Sequence, residues 1–320
     1  KAKGYCRDVF FDRAAEWIKK ERDGGRRFLA WISPNVPHDP FISPGAEWEA
    51  PYRNAGLSTN AVRYYAMIAH LDAAVGRFMA RLEEIGAGRE TLLIFMTDNG
   101  HSVGSVYNAG MRAAKGTPYQ GGIRVPSFWR WPGRLPAGVD CDALTAHIDV
   151  FPTIAALAGE EAPKEVEGRS LLPLFEAVRS GKTMNEADMA AMWRDRMLFT
   201  HLGRWEVGQA ENAKYRGTAV RNARFKLVNN NELYELASDP GETNNLIAAH
   251  PDVAAKLRAA FEEWWTEVLP ATVENENARG PDVNPFKKRF WAQYGHPGGT
   301  NRWTWKMNPE LKFDPKRPRL

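Results

Sequence analysis

The chain has 320 residues, 43% of them hydrophobic and 26% charged, with a net charge of +4. That composition is ordinary for a soluble globular fold, and the length suggests about two domains of ~150 residues. No apolar run approaches the ~20 residues of a membrane span, and two cysteines, Cys6 and Cys141, make neither a disulfide framework nor a zinc site by themselves.

In chain order, Asp8 to about Arg22 reads as an amphipathic helix with Phe11, Ala14, Ala15 and Ile18 on one face, ended by Gly24-Gly25. Phe28 to Ile32 reads as a short buried strand. It runs into Ser33-Pro34-Asn35-Val36-Pro37-His38-Asp39-Pro40, where three prolines stiffen the loop. His38 is thus on a rigid loop past a strand end, a place for a catalytic side chain, although a lone loop His is also an ordinary surface residue. A long helix is expected from Ser58 or Thr59. Its apolar positions Tyr64, Ile68, Leu71, Val75, Phe78, Leu82 and Ile85 recur at spacings of four and three.

Leu92 to Met96 is an unbroken apolar run that stops at Thr97-Asp98-Asn99-Gly100-His101. It reads as a strand buried on both faces, and strand, helix, strand in succession reads as a crossover βαβ unit and argues for a parallel sheet. Ligands of open α/β sheets bind beyond the carboxyl ends of such strands. Asp98 and Asn99 offer a carboxylate and an amide oxygen, suited to a hard cation, though Asp-Asn-Gly reads equally as a plain turn. Lys115 lies on a glycine-containing loop, Lys115 to Pro126, where it is an anion-binding point charge or simply a solvated lysine.

Ser127 to Trp131 reads as a strand, His147 to Ala158 as a helix, and Arg169 to Ser180 as another. Beyond Met184, four short strand candidates (197–201, 215–220, 225–228 and 232–236) predict a small antiparallel sheet. An amphipathic helix, Pro251 to Val268, follows, with Val253, Leu257, Phe261 and Trp264 on one face. From Arg279 to Leu320 basic residues outnumber acidic ones among Pro, Gly and Trp. That tail is a solvated extension or a polyanion-binding segment. The divisions expected are therefore 1–183, 184–275 and 276–320.

Taken together, the pieces resemble the type I sulfatases of the alkaline phosphatase superfamily. Pro37-His38-Asp39-Pro40 is similar to the family's Pro-His loop, and Thr97-Asp98-Asn99-Gly100 to its metal-binding segment. Lys115 to Pro126 is similar to its Lys-Gly-x-x-Tyr-Glu-Gly-Gly-x-Arg-Val-Pro stretch, with Gln120 in place of Glu. Asp149-Val150-Phe151-Pro152-Thr153 resembles its next helix start. Glu232 to Leu236, Asp239-Pro240-Gly241-Glu242 and Asn245-Leu246 resemble its C-terminal signature.

The resemblance implies an α/β fold: an alkaline-phosphatase-like, parallel-rich sheet flanked by helices, incomplete at the N-terminus, with a small C-terminal antiparallel sheet plus helix. It implies hydrolysis of sulfate esters by a formylglycine hydrate with a calcium ion, magnesium being the alternative. Asp98 and Asn99 would be metal ligands, Lys115 would contact the sulfate, and His38 would bind sulfate or protonate the leaving alkoxide. A carboxamide at Asn99 favours one hard cation over zinc.

Cys6 and Cys141 both lie outside any Cys-x-Pro-x-Arg, and the family's early Asp-Asp pair and Gly-Lys-x-x-His segment are also missing. The chain is therefore expected to be the later part of a sulfatase, inactive alone, needing an N-terminal half or pairing through an exposed sheet edge. The alternative is a non-catalytic sulfatase-like protein that binds sulfated polyanions. Sulfated carbohydrate is the expected substrate, with His201 and Arg204 as candidate sugar contacts. No nucleic acid partner or membrane span is expected, and the family's usual compartment is periplasmic or secreted.

Overall fold

The computed structural model describes residues 5–104, 106–180, 193, 196–203, 205 and 208–277, the last seven by backbone alone. It forms two compact units: Lys1–Leu202 with Arg216–Ala260, and Gly203–Tyr215 with Phe261–Leu320. The expected boundary at 183/184 and nearly all of the basic tail lie outside the described residues.

In the first unit, helix α1 (Cys6–Asp23) packs on the long helix α3 (Thr59–Glu84), with a single turn, α2 (Ala46–Glu49), between them in sequence. Ser58 caps α3 by accepting from the Ala61 amide at 3.2 Å, which satisfies one of the helix's orphan donors. Ala15 and Ile18 of α1 are buried against Phe78, Leu82 and Ile85. The buried stripe of α3 also takes in Ala66, Met67 and Ala74, while Ile68 of the expected face is turned outward.

Phe28, Ala30 and Ile32 pack against the same cluster, whereas Leu29 and Trp31 are 62% and 79% exposed. Residues 28–32 therefore alternate like a strand, yet they join no ladder among the described residues. This corrects the expected buried strand and parallel crossover. Strand β1 (Leu93–Met96) pairs antiparallel with β2 (Ser127–Arg130), Leu93 opposite Arg130 and Met96 opposite Ser127. All four residues of β1 are half-buried rather than buried on both faces. An apolar run tells that a strand can be covered, not which neighbour covers it.

After a short helix α4 (Gln120–Ile123) and β2, the turn His147–Asp149 leads into α5 (Val150–Ala158), followed by α6 (Leu172–Arg179). Buried Asp149 organises this stretch. It accepts from the amides of Ala146 at 2.7 Å and Arg169 at 2.8 Å and pairs with Arg196 at 2.6 Å.

The small sheet has four antiparallel strands in sequence order, as the sequence predicts: β3 (Leu198–His201), β4 (Thr218–Arg221), β5 (Phe225–Val228) and β6 (Glu232–Glu235). Asn222 and Asn229 close its turns. The Asn222 side chain accepts from the Arg224 and Phe225 amides at 2.9 and 2.7 Å, and Asn229 takes a left-handed backbone, φ 48°, which asparagine tolerates. These strands fall in the same compact unit as β1 and β2. Helix α7 (Pro251–Asn277) buries Ala254, Leu257, Phe261 and Trp265, a stripe rotated slightly from the expected one. In the second unit Trp265 meets Trp205 edge-on at 5.9 Å and Phe261 at 6.2 Å.

Candidate functional site

The site is a loop cluster beyond the end of β1. The chain leaves β1 at Thr97 and turns through Asp98 and Asn99. The Gly100 amide then donates to the Gly122 carbonyl at 2.9 Å, and the Lys115 amide donates to the His101 carbonyl at 2.9 Å. Two backbone bonds thus lay the Asp98–His101 segment against the Lys115–Gly122 segment. Close approach requires glycine: a methyl at Gly100 would overlap the Gly121 carbonyl, one at Gly121 would overlap the Ala113 carbonyl, and one at Gly122 would overlap the Thr117 carbonyl.

The structure brings Asp98, Asn99 and Lys115 onto these adjoining loops. Asp98 is exposed, and Asn99 and Lys115 are half-buried. Among the described residues the Asp98 and Asn99 side chains make no hydrogen bond and Lys115 no ion pair, so all three are available to a ligand. His38 is exposed, with Nδ1 2.7 Å from the Asp39 carbonyl and 3.0 Å from the Asp39 carboxylate. It is not tied to the Asp98–Lys115 cluster by any hydrogen bond among the described residues. His201 ends β3, opposite Thr218. Arg204 lies outside the described residues.

Two histidines next to the cluster were not singled out by the sequence. His147 donates from Nε2 to the Thr97 carbonyl at 2.7 Å, which ties the start of α5 to the end of β1. His101 turns Nδ1 to the Val103 carbonyl at 2.9 Å, and its Nε2 is shielded from solvent without a hydrogen-bond partner. Only the position of His101 beside Asp98-Asn99-Gly100 could have flagged it.

Further support for the lysine loop comes from the small sheet. Arg112 donates to Glu232 at 3.0 Å, to the Tyr234 hydroxyl at 2.7 Å and to the Glu242 carbonyl at 3.1 Å, and its guanidinium lies 3.9 Å from the centre of the Tyr119 ring. The Tyr119 hydroxyl donates to Glu232 at 2.9 Å. Burial, reinforced by the Glu232 carboxylate, raises the hydroxyl pKa of Tyr119 and of Tyr234. Glu242 accepts from the Gln120 amide and from Lys226, each at 2.6 Å. Burial outweighs Glu242 at Lys226 and brings its ammonium down to about 8. Burial, with Arg124 adding to it, brings Arg221 to about 10.

The donor set suits a hard cation on chemical grounds: one carboxylate and one amide oxygen, both unengaged. It is incomplete, since calcium takes about six to eight oxygens and no group of three or more His, Cys, Asp or Glu able to hold a metal occurs among the described residues.

Residues 2–160 match the Sulfatase family model, and residues 114–267 match the model of the C-terminal part of N-sulphoglucosamine sulphohydrolase. A sulfatase of Formosa agariphila is 30% identical over 287 residues, covering 80% of this chain and 49% of that protein. Human arylsulfatase A is 31% identical over 212 residues, 59% of this chain and 40% of that one. The chain spans about half the length of the curated relatives it matches. The crystal structure of Ps i-CgsB in complex with k-i-k-neocarrahexaose superposes with a TM-score of 0.69 at 23% identity, over 82% of this chain and 55% of that one. On the two family models, which together span residues 2–267, and on these relatives, the chain belongs to the sulfatase family.

Proposed function

We propose that this chain carries the sulfate-binding and part of the metal-binding side of a sulfuric ester hydrolase. The observation that carries the reading is the pair of backbone bonds that holds Asp98, Asn99 and Lys115 on adjoining loops with unengaged side chains. Lys115 would bind the sulfate and offset negative charge on its oxygens as the ester bond breaks. His38 would bind sulfate or give a proton to the departing alkoxide. Asp98 and Asn99 would hold the cation, calcium or magnesium, which when bound supplies Lewis-acid polarisation of the sulfate.

Formylglycine does not fit either cysteine. Cys6 is followed by Arg7-Asp8-Val9 and Cys141 by Asp142-Ala143-Leu144, so the nucleophile would come from outside these 320 residues. Turnover by this chain alone is therefore not expected. A complementary sulfatase segment would supply the nucleophile and the remaining metal ligands and cover the outward Leu29 and Trp31. Sulfated carbohydrate is the substrate class this reading favours. Support comes from the description of the matched C-terminal model, which names a sulphoglucosamine hydrolase, and from the hexaose in the solved neighbour. Among the described residues no helix is long and apolar enough to cross a membrane, and a periplasmic or secreted setting accords with the reading.

The test is hydrolysis of a chromogenic sulfate ester, by the chain alone and fused behind a segment carrying Cys-x-Pro-x-Arg converted to formylglycine. Turnover only in the fusion, lost on chelating the cation, supports the proposal. Robust turnover by the chain alone overturns the assignment of the nucleophile. Salt-sensitive retention on heparin, with no turnover even in the fusion, would point instead to a non-catalytic polyanion binder.

A further inference from the structure

The loop that carries Lys115 is fastened at both of its ends by two carboxylates, one on the small sheet and one on the turn that follows it. At the near end, Glu232 of β6 holds Arg112. At the far end it accepts from Tyr119, and Glu242, on the turn that follows β6, accepts from the Gln120 amide at 2.6 Å. From Gln120 the chain passes directly into Gly121 and Gly122. The Gly121 amide donates back to the Arg112 carbonyl at 2.8 Å, and the Gly122 carbonyl receives Gly100. One connected path therefore runs from the sheet through Glu242, Gln120 and Gly122 to the loop of Asp98 and Asn99.

Glu242 is itself held firmly. Its backbone is left-handed, φ 55°, in a turn whose Asp239 carboxylate accepts from the Thr243 and Asn244 amides at 2.8 and 2.9 Å. Its side chain, like that of Lys226, has no solvent exposure. A buried ion pair is weak evidence for stability, because an apolar pair of similar volume often does as well. The carboxylate has a second task that an apolar side chain lacks: it is the acceptor for Gln120.

We propose that Glu242 and Glu232 are positioning residues for the sulfate-binding loop. They fix the lysine loop and, through Gly122, the cation-binding loop in one arrangement before any ligand arrives. The functional half of this statement rests on Lys115 contacting sulfate; the clamp itself does not.

Two charge-neutral double variants of the full chain separate the acceptor from the ion pair. Lys226→Met with Glu242→Gln keeps an acceptor for the Gln120 amide. Lys226→Met with Glu242→Leu removes it. The readouts are amide hydrogen exchange across residues 98–123 and affinity for inorganic sulfate with calcium present. The glutamine variant should match wild type in both. The leucine variant should exchange about ten-fold faster across 112–123 and bind sulfate about ten-fold more weakly, the loss expected for one hydrogen bond. Exchange in β4 and β5 should stay unchanged.

Wild-type exchange across 112–123 in the leucine variant would overturn the clamp, as would equal loosening of the whole unit. Should the leucine variant not fold, Glu232→Gln serves instead. Glu232 is partly exposed, and its loss of charge should speed exchange at 112–119 selectively; unchanged exchange there overturns the proposal. If wild type binds no sulfate, the functional reading of Lys115 fails while the exchange data still decide the clamp.

Discussion

The two sides of the candidate site are built in opposite ways. Lys115 sits on a loop held by contacts from far along the chain: Arg112 and Glu232 are 120 positions apart, and Gln120 and Glu242 are 122 apart. His38 sits on a loop whose hydrogen bonds, among the described residues, stay within residues 31–40, such as the His38 amide to the Asn35 carbonyl at 2.9 Å. The lysine side is preorganised by the chain itself. The histidine side is stiffened only locally and lies beside the outward-facing Leu29 and Trp31. A side chain on the first kind of loop is held by contacts within this chain; one on the second has only its local hydrogen bonds.

The largest effect should come from the buried pair. Glu242→Ala leaves Lys226 without a partner and should cost ~3–5 kcal/mol, read as a lower midpoint in urea unfolding. Next, Gly121→Ala drives a methyl into the Ala113 and Arg112 carbonyls and should cost ~1–3 kcal/mol.

A pH series tests the same region. Lys226 lies at about 8 in the fold, against ~10.4 unfolded. Between these values the unfolded state binds more protons, so this group alone makes stability rise with pH. The difference in stability between wild type and Lys226→Met with Glu242→Gln should therefore shift toward wild type as pH rises through that window. A flat difference would show that Lys226 keeps its proton.

The smallest stability effect should be at His38. His38→Ala should change unfolding by less than ~0.5 kcal/mol, yet lower turnover of the formylglycine-bearing fusion by ~10²–10⁴. A large stability loss at His38 would erase the contrast between the two sides.

Much of this arrangement was legible in the sequence where the signal is local. Short apolar segments separated by turns placed all four strands of the small sheet, and Lys115 was legible as lying on a glycine-containing loop. Pairing was not legible. Phe28 to Ile32 has the alternation of a strand, but a ladder needs a neighbour, and none joins it among the described residues. Nor was the clamp legible. Glu232 and Glu242 were visible only as parts of a signature, because their partners lie more than a hundred residues away and no spacing rule links them. His147 was hidden for the same reason, since its bond to Thr97 spans 50 positions.

The most direct measurement is a calorimetric titration of inorganic sulfate, with calcium present, into the wild-type chain, Lys115→Ala and Asp98→Ala. Binding to wild type should be weak, binding to Lys115→Ala at least about ten-fold weaker, and binding to Asp98→Ala no longer dependent on calcium. Equal sulfate affinity in wild type and Lys115→Ala would contradict the sulfate-binding role of Lys115.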